Sequence, residues 1–209
     1  MQLLATGTRI GKGGWMNKKR LLTVMGSGIK TLTIANPDDT WLFAVSAPDT
    51  NYVASTTLNV RLNARHAIMK FDLSSLVGKT IKTAKLTLTT ETAVDLDTVT
   101  SVYQILAANS DMVFSEMTWN IKKTGTAWAG AAGCATPDTD FNSTSMGGAS
   151  YPRNQGNTKV EIDLDLTQFN AMIANNYGFI LRNSLNGTFI YHSNEAATVA
   201  YRPILTVTY

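Results

Sequence analysis

The stretch "NVRLNARHAIMKFDLSSL" (Asn59 to Leu76) holds two alternating runs joined by a turn. Leu58, Val60 and Leu62 alternate with Asn59, Arg61 and Asn63. Ala67, Met69, Phe71 and Leu73 alternate with Ile68, Lys70 and Asp72. A period of two sends one set inward and the other outward, which is the mark of a half-buried strand. Asn63-Ala64-Arg65 reads as a hairpin connection. On this reading Phe71 and Leu73 feed a core, while Arg61, Arg65 and Lys70 form a solvated face. His66, at the entrance of the second strand, is expected to be a hydrogen-bonded edge residue rather than a catalyst.

The same grammar recurs along the chain. Ala84, Leu86 and Leu88 oppose Lys85, Thr87 and Thr89, and Val160, Ile162 and Leu164 oppose Lys159, Glu161 and Asp163. Leu205, Val207 and Tyr209 oppose Thr206 and Thr208. Candidate strands fall at 21–25, 29–34, 40–46, 57–63, 67–73, 79–90, 98–107, 158–164, 177–183, 187–193 and 203–209. Many short alternating strands separated by turn signals predict an all-β jelly-roll sandwich. One segment breaks the period. Leu166, Phe169, Met172 and Ile173 lie at helical spacing after Asp165, a good N-cap, so one short helix is expected between Asp165 and Asn175. The stretch from Ile121 to Asn157 is the least regular, and a loop of that length is expected to be functional or packed against a neighbour.

Composition agrees with this class. The chain has 209 residues, 44% of them hydrophobic and only 16% charged. That is enough for a core, with Thr, Asn and Ser supplying strand and turn polarity. The single cysteine, Cys134, can form no internal disulfide and is expected to be a packed free thiol. No CxxC or HExxH spacing occurs, so a zinc site is not expected. No run of 18 apolar residues is present, so a membrane span is not expected either. The run "LLTVM" after Lys18, Lys19 and Arg20 imitates an export signal but is short of the roughly 7–15 apolar residues such a signal needs.

Charge is unevenly placed. Residues 1–34 hold Arg9, Lys12, Lys18, Lys19, Arg20 and Lys30 and no acid, whereas the other 175 residues carry 12 basic and 15 acidic residues. Trp15, Leu21 and Leu22 make this arm too apolar for a simple solvated tail. The expected organisation is a basic, apolar N-terminal arm over 1–36 and a sandwich over 37–209. Such an arm seeks an acidic surface. Arg9, Lys12, Trp15, Lys18, Lys19, Arg20, Leu21 and Leu22 are the residues expected to anchor it to other chains of an assembly.

Several motifs occur in a telling order: "APDTNYVASTTLNVRLN", "AIMKFDLSSLVGKTIKTAKLTLT", "EMTWN", "VEIDLDLTQF", "YGFILRN" and the closing "RPILTVTY". From about Asp39 to Tyr209 this order resembles the DNRLRE domain family, also described as a family of carbohydrate-binding modules. Val53 stands where family members commonly have Gly, and Val77 where they commonly have Pro. The resemblance implies a jelly-roll β-sandwich with no catalytic activity of its own.

Residue chemistry points the same way. With two histidines and no GxSxG, HExxH or phosphate loop, no catalytic residue is expected. Asp38-Asp39 and Asp163/Asp165 are the only acid pairs weighed for glycosidase work. Asp49, Asn51 and Asp72 are the candidates for a structural calcium, with turn chemistry the favoured reading, and no metal site is assigned. Trp128 and Tyr151 border the irregular stretch and are the candidate carbohydrate contacts, although a buried aromatic is the commoner outcome for either alone. The leading expectation is a non-enzymatic structural component of a phage particle, such as a head-decoration, fibre or tail-associated protein, located in the virion after assembly in the host cytoplasm. The alternative is an extracellular polysaccharide-binding module. Protein chains of an assembly or polysaccharide are the expected partners, and nucleic acid is not.

Overall fold

The computed structural model describes residues 28–209. The anchoring residues Arg9, Lys12, Trp15, Lys18, Lys19, Arg20, Leu21 and Leu22, and the candidate strand 21–25, lie outside the described residues.

Alternation produces strands wherever it was strongest. In chain order they begin with β1 (Thr31–Ile34), β2 (Asp38–Phe43), β3 (Thr57–Val60), β4 (Arg65–Lys70), β5 (Thr83–Thr89) and β6 (Val99–Gln104). The short β7 (Ile121–Lys123), β8 (Thr126–Ala127) and β9 (Gly147–Ser150) follow, then β10 (Lys159–Asp163). After helix α1 (Leu166–Ala174) come β11 (Phe179–Asn183), β12 (Phe189–His192) and β13 (Ile204–Thr208). The helix is where its spacing placed it, and Asp165 Oδ1 caps it by accepting from Gln168 N at 2.9 Å.

Two antiparallel sheets form the sandwich. One has the order β1-β13-β5-β10 and the other β2-β4-β11-β6-β9, with β12-β3 as a two-stranded ribbon between them. β1 pairs with β13 from Thr31↔Thr208 to Ile34↔Leu205. Residues 31–34, assigned to the arm from the sequence, are thus an edge strand of the sandwich. Between the sheets lie Phe71, Leu73, Met69, Leu86, Leu88, Phe179 and Leu205, each 2% exposed or less. The inward register of Ala67, Met69, Phe71 and Leu73 is the observed one. The turn between β3 and β4 is Leu62-Asn63-Ala64, closed by the Arg61↔Arg65 bridge, and Asn63 takes the left-handed conformation (φ 52°) that Asn tolerates.

The outward register of β4 is not a solvated face. Ile68 is fully buried and His66 is 1% exposed. The long segment after β6 folds back over the outside of the five-stranded sheet and builds a second core there. Ile105, Met117, Trp128, Cys134 and Phe141 from that segment meet Leu42, Ile68 and Ile180 from the sheet. Buried polar groups staple this cap. The Asp140 carboxylate, fully buried, accepts from Asn109 Nδ2, Gly130 N and Thr136 N at 2.8–2.9 Å. His66 Nδ1 donates to Gly133 O at 2.7 Å, and burial pushes the imidazole down to about 3, so it is neutral at ordinary pH. Gly133 (φ 81°) packs so close to Trp119 that a Cβ there would lie 2.6 Å from the indole.

Candidate functional site

The two aromatics singled out from sequence are interior. Trp128 is 4% exposed, inside the cap, with Nε1 donating to Thr118 O at 3.1 Å. Tyr151 is 2% exposed and packs edge-on to Phe189 and Tyr191, its hydroxyl donating to Thr92 O at 2.6 Å. Neither offers a free ring face to a sugar, because the irregular loop that carries Trp128 is itself a packed layer and Tyr151 closes the main core. The calcium candidates serve turns and caps. Asp49 Oδ1 accepts from Asn120 Nδ2, Asn51 Nδ2 donates to Phe114 O and Met117 O, and Asp72 Oδ1 accepts from Ser74 N. Among the described residues no group of three or more His, Cys, Asp or Glu converges. The acid pairs are split by the fold. Asp163 faces Lys85 while Asp165 caps α1, and Asp38 is exposed while Asp39 is buried.

A different cluster comes together at the β3–β4 turn. Phe43 pairs with Arg65 and Trp41 with Ala67 across β2 and β4, so Trp41, Phe43 and Arg65 share one face. Tyr52, from the loop after β2, stacks on Trp41 with ring centroids 4.0 Å apart. The Arg65 guanidinium lies 4.4 Å from the Phe43 ring centre and 5.5 Å from that of Trp41. Its Nη1 reaches toward Asn59 Oδ1 (3.4 Å) and Thr188 Oγ1 (3.3 Å). Arg61 stands one hairpin position away, with Nε donating to Asn186 Oδ1 at 2.8 Å. The two arginines repel: burial first, and then Arg61, hold the Arg65 guanidinium below its usual range. Among the described residues the ion pairs involve Lys85, Lys122, Lys123 and Arg153, so no carboxylate neutralises this arginine pair. Tyr52, Phe43, Arg61 and Arg65 are all half-buried, and each keeps part of its surface open.

Trp41 is itself buried beneath Tyr52, so the rim presents the Tyr52 and Phe43 rings on a Trp41 floor beside two unneutralised guanidinium groups, with amide and hydroxyl groups between. Rings of this kind lie flat against the C–H faces of a sugar, and guanidinium groups grip carboxylates or sulfates in paired hydrogen bonds. From the sequence, Arg61 and Arg65 look like surface decoration. The signal that marks them is Trp41-Leu42-Phe43, an aromatic pair at strand spacing opposite a basic hairpin.

Next to the rim sits a buried acid. Asp39 lies two residues before Trp41 on the same face of β2 and is 2% exposed. Its Oδ2 accepts from Asn194 N at 2.9 Å, and Glu195, the residue after Asn194, acts on it as a second acid. Burial, with Glu195 and Asp38 adding to it, pushes Asp39 up to about 8. The outer face of the four-stranded sheet offers a groove of about 470 Å³, lined by residues that include Thr83, Lys85, Thr87, Glu161, Asp163 and Thr206. It carries no aromatic ring, and Lys85 is already held by Glu161 at 2.7 Å. Among the described residues no helix is long and apolar enough to cross a membrane.

The chain matches no protein of curated function. Residues 30–139, just over half of the chain, match carbohydrate-binding module family 96. The matched stretch runs from β1 into the cap and contains Trp41, Phe43, Tyr52, Asn59, Arg61 and Arg65. The β-sandwich, the ring-and-arginine rim and this match lead to one statement: the chain belongs to carbohydrate-binding module family 96.

Proposed function

We propose that the protein binds an anionic polysaccharide, and that the rim formed by Trp41, Phe43, Tyr52, Arg61 and Arg65 is where it does so. The observation that carries this reading is the arginine pair. Two adjacent guanidinium groups, left without a carboxylate among the described residues and set against aromatic rings, suit a chain of sugar rings bearing acidic groups. Binding is the activity, with no catalytic step. The test is affinity electrophoresis through gels containing polygalacturonate or, as a control, a neutral glucan. Retardation in the acidic gel alone is the expected result. Arg61→Ala and Tyr52→Ala are each expected to weaken it about tenfold, equivalent to about 1.4 kcal/mol. Equal mobility in all gels removes the reading.

The charge split along the chain favours a second reading, in which the module is a structural part of a phage particle. Here the basic arm, with Lys18, Lys19 and Arg20 beside Trp15, Leu21 and Leu22, clasps an acidic surface on neighbouring chains, and the sandwich is displayed outward. Mass analysis of the chain with and without residues 1–27 tests it. A monodisperse monomer in both cases, with no incorporation into particles, eliminates it.

A further inference from the structure

The buried acid Asp39 takes no part in the rim chemistry, yet it sits on the strand that carries Trp41. A carboxylate 2% exposed is costly unless it is paired with a cation or holds its proton. Asp38 is its neighbour on β2, and Glu195 reaches it from the turn after β12. Arg65 and Lys70 lie on the adjacent β4, Tyr52 on the loop that follows β2, and Arg202 beyond the turn, where its Nε donates to Ala196 O. β3 contributes no titratable side chain. Among the described residues no Lys or Arg lies within ion-pair distance of Asp39 or Glu195. Both acids that act on Asp39 disfavour its charge, and Glu195 Oε2 is buried with no hydrogen-bond donor among the described residues.

The turn that Asp39 holds through Asn194 N is connected to the rim. Ser193 Oγ donates to Ser55 O at 2.6 Å and Ser193 N to Thr56 O at 3.1 Å. Glu195 N donates back to Ser193 Oγ at 3.1 Å. Ser55 N in turn donates to Tyr52 O at 2.9 Å, so the turn, the loop and the ring stacked on Trp41 form one hydrogen-bonded chain.

We infer that Asp39 is a positioning residue: buried without a cation, it keeps its proton, holds Asn194 N of the 193–196 turn against β2, and thereby holds Tyr52 on Trp41, so that loss of the proton beside Glu195 loosens the glycan-binding rim. The function of the clamp rests on the rim being the glycan site; the clamp itself does not. The sign follows from linkage. An acid that keeps its proton in the folded state to about 8 but loses it near 3.8 when unfolded favours the fold most below 3.8. That advantage is lost as pH rises toward 8 and is constant beyond it. Above 8 the folded chain itself carries a buried carboxylate on Asp39 with no cation beside it, and the turn lets go.

Melting temperatures of the wild type, Asp39→Asn and Glu195→Gln between pH 5 and 9.5 test the clamp without any glycan. Asp39→Asn keeps an acceptor for Asn194 N but has no proton to lose, whereas Glu195→Gln removes only the neighbouring charge and leaves Asp39 able to titrate. The wild type is expected to lose several degrees relative to Asp39→Asn between pH 5 and 8, with a level difference above, and Glu195→Gln to show a smaller loss than the wild type. A difference between the wild type and Asp39→Asn that does not vary with pH overturns the proposal. So does a rise in melting temperature on adding calcium chloride at pH 9 in the wild type but not in Asp39→Asn, because the acid would then hold a cation instead of a proton. Retardation by polygalacturonate at pH 7 and 9.5 tests the functional link. The wild type is expected to lose about tenfold in affinity at the higher pH while Asp39→Asn does not, and an equal loss in both overturns the link. If no form is retarded at any pH while the melting profile behaves as expected, the clamp stands and the glycan reading of the rim fails.

Discussion

The two sheets carry opposite outer faces. Across the four-stranded sheet one row reads Thr33, Thr206, Lys85 and Asp163. Across the five-stranded sheet one row reads Thr40, Ile68, Ile180 and Tyr103. The first row meets water, with Thr33 and Asp163 exposed. The second is roofed by the cap, with Ile68 and Ile180 fully buried. The difference lies in the strands' own sequences. β5, β10 and β13 alternate apolar with polar. β2, β4 and β11 contain Trp41-Leu42-Phe43, Ala67-Ile68-Met69 and Phe179-Ile180-Leu181, apolar on both parities. A strand apolar on both sides must be covered on both sides, since exposed apolar area costs about 25 cal/mol per Å². The cap is that cover, which explains a long segment with little regular structure that is nevertheless packed.

The comparison can be broken experimentally. The largest effect belongs to the core that both sheets share. Phe71→Ala is expected to cost about 3–5 kcal/mol in denaturant unfolding, and a loss under about 1 kcal/mol would mean the sheets do not close on it. Ile68→Ala should cost roughly 2–5 kcal/mol despite its outward register, because it sits in a second interior. A surface-like loss of about 0.5 kcal/mol there would remove the cap as a packed layer.

Acid should act on the capped side. His66 is buried neutral with its proton affinity pushed down to about 3, so its contribution is complete above its ordinary value near 6.5 and is lost as pH falls toward 3. Between pH 6.5 and 4.5 the wild type is expected to lose on the order of 2 kcal/mol relative to His66→Gln. Parallel pH profiles for the two would place the imidazole in water. The smallest effect belongs to the bare face. Thr206→Ala, half-buried in the row with Lys85, should change stability by no more than about 0.5 kcal/mol. A large loss would show that this face, too, is covered by something.

Period-two alternation was enough to determine the sandwich class, the inward set Ala67, Met69, Phe71 and Leu73, and the turn at Asn63, because side-chain direction in a strand is local geometry. Helical spacing behind Asp165 likewise fixed α1. Local pattern could not say what lies on the second face of β4. That depended on Met117, Trp128 and Phe141, 49 or more residues beyond Ile68, returning to cover it. Nor could it group Tyr52, Arg65 and Thr188, or Asp39 and Glu195, whose partners are joined only when β2, β4 and the β12 ribbon are brought side by side. Trp128 and Tyr151 show the same limit from the other side, since an aromatic in an irregular segment reads alike whether it faces sugar or interior. Sequence fixed which residues alternate, and only the tertiary structure decided which of the alternating faces reach water, because burial is a property of what packs against a strand and not of the strand itself.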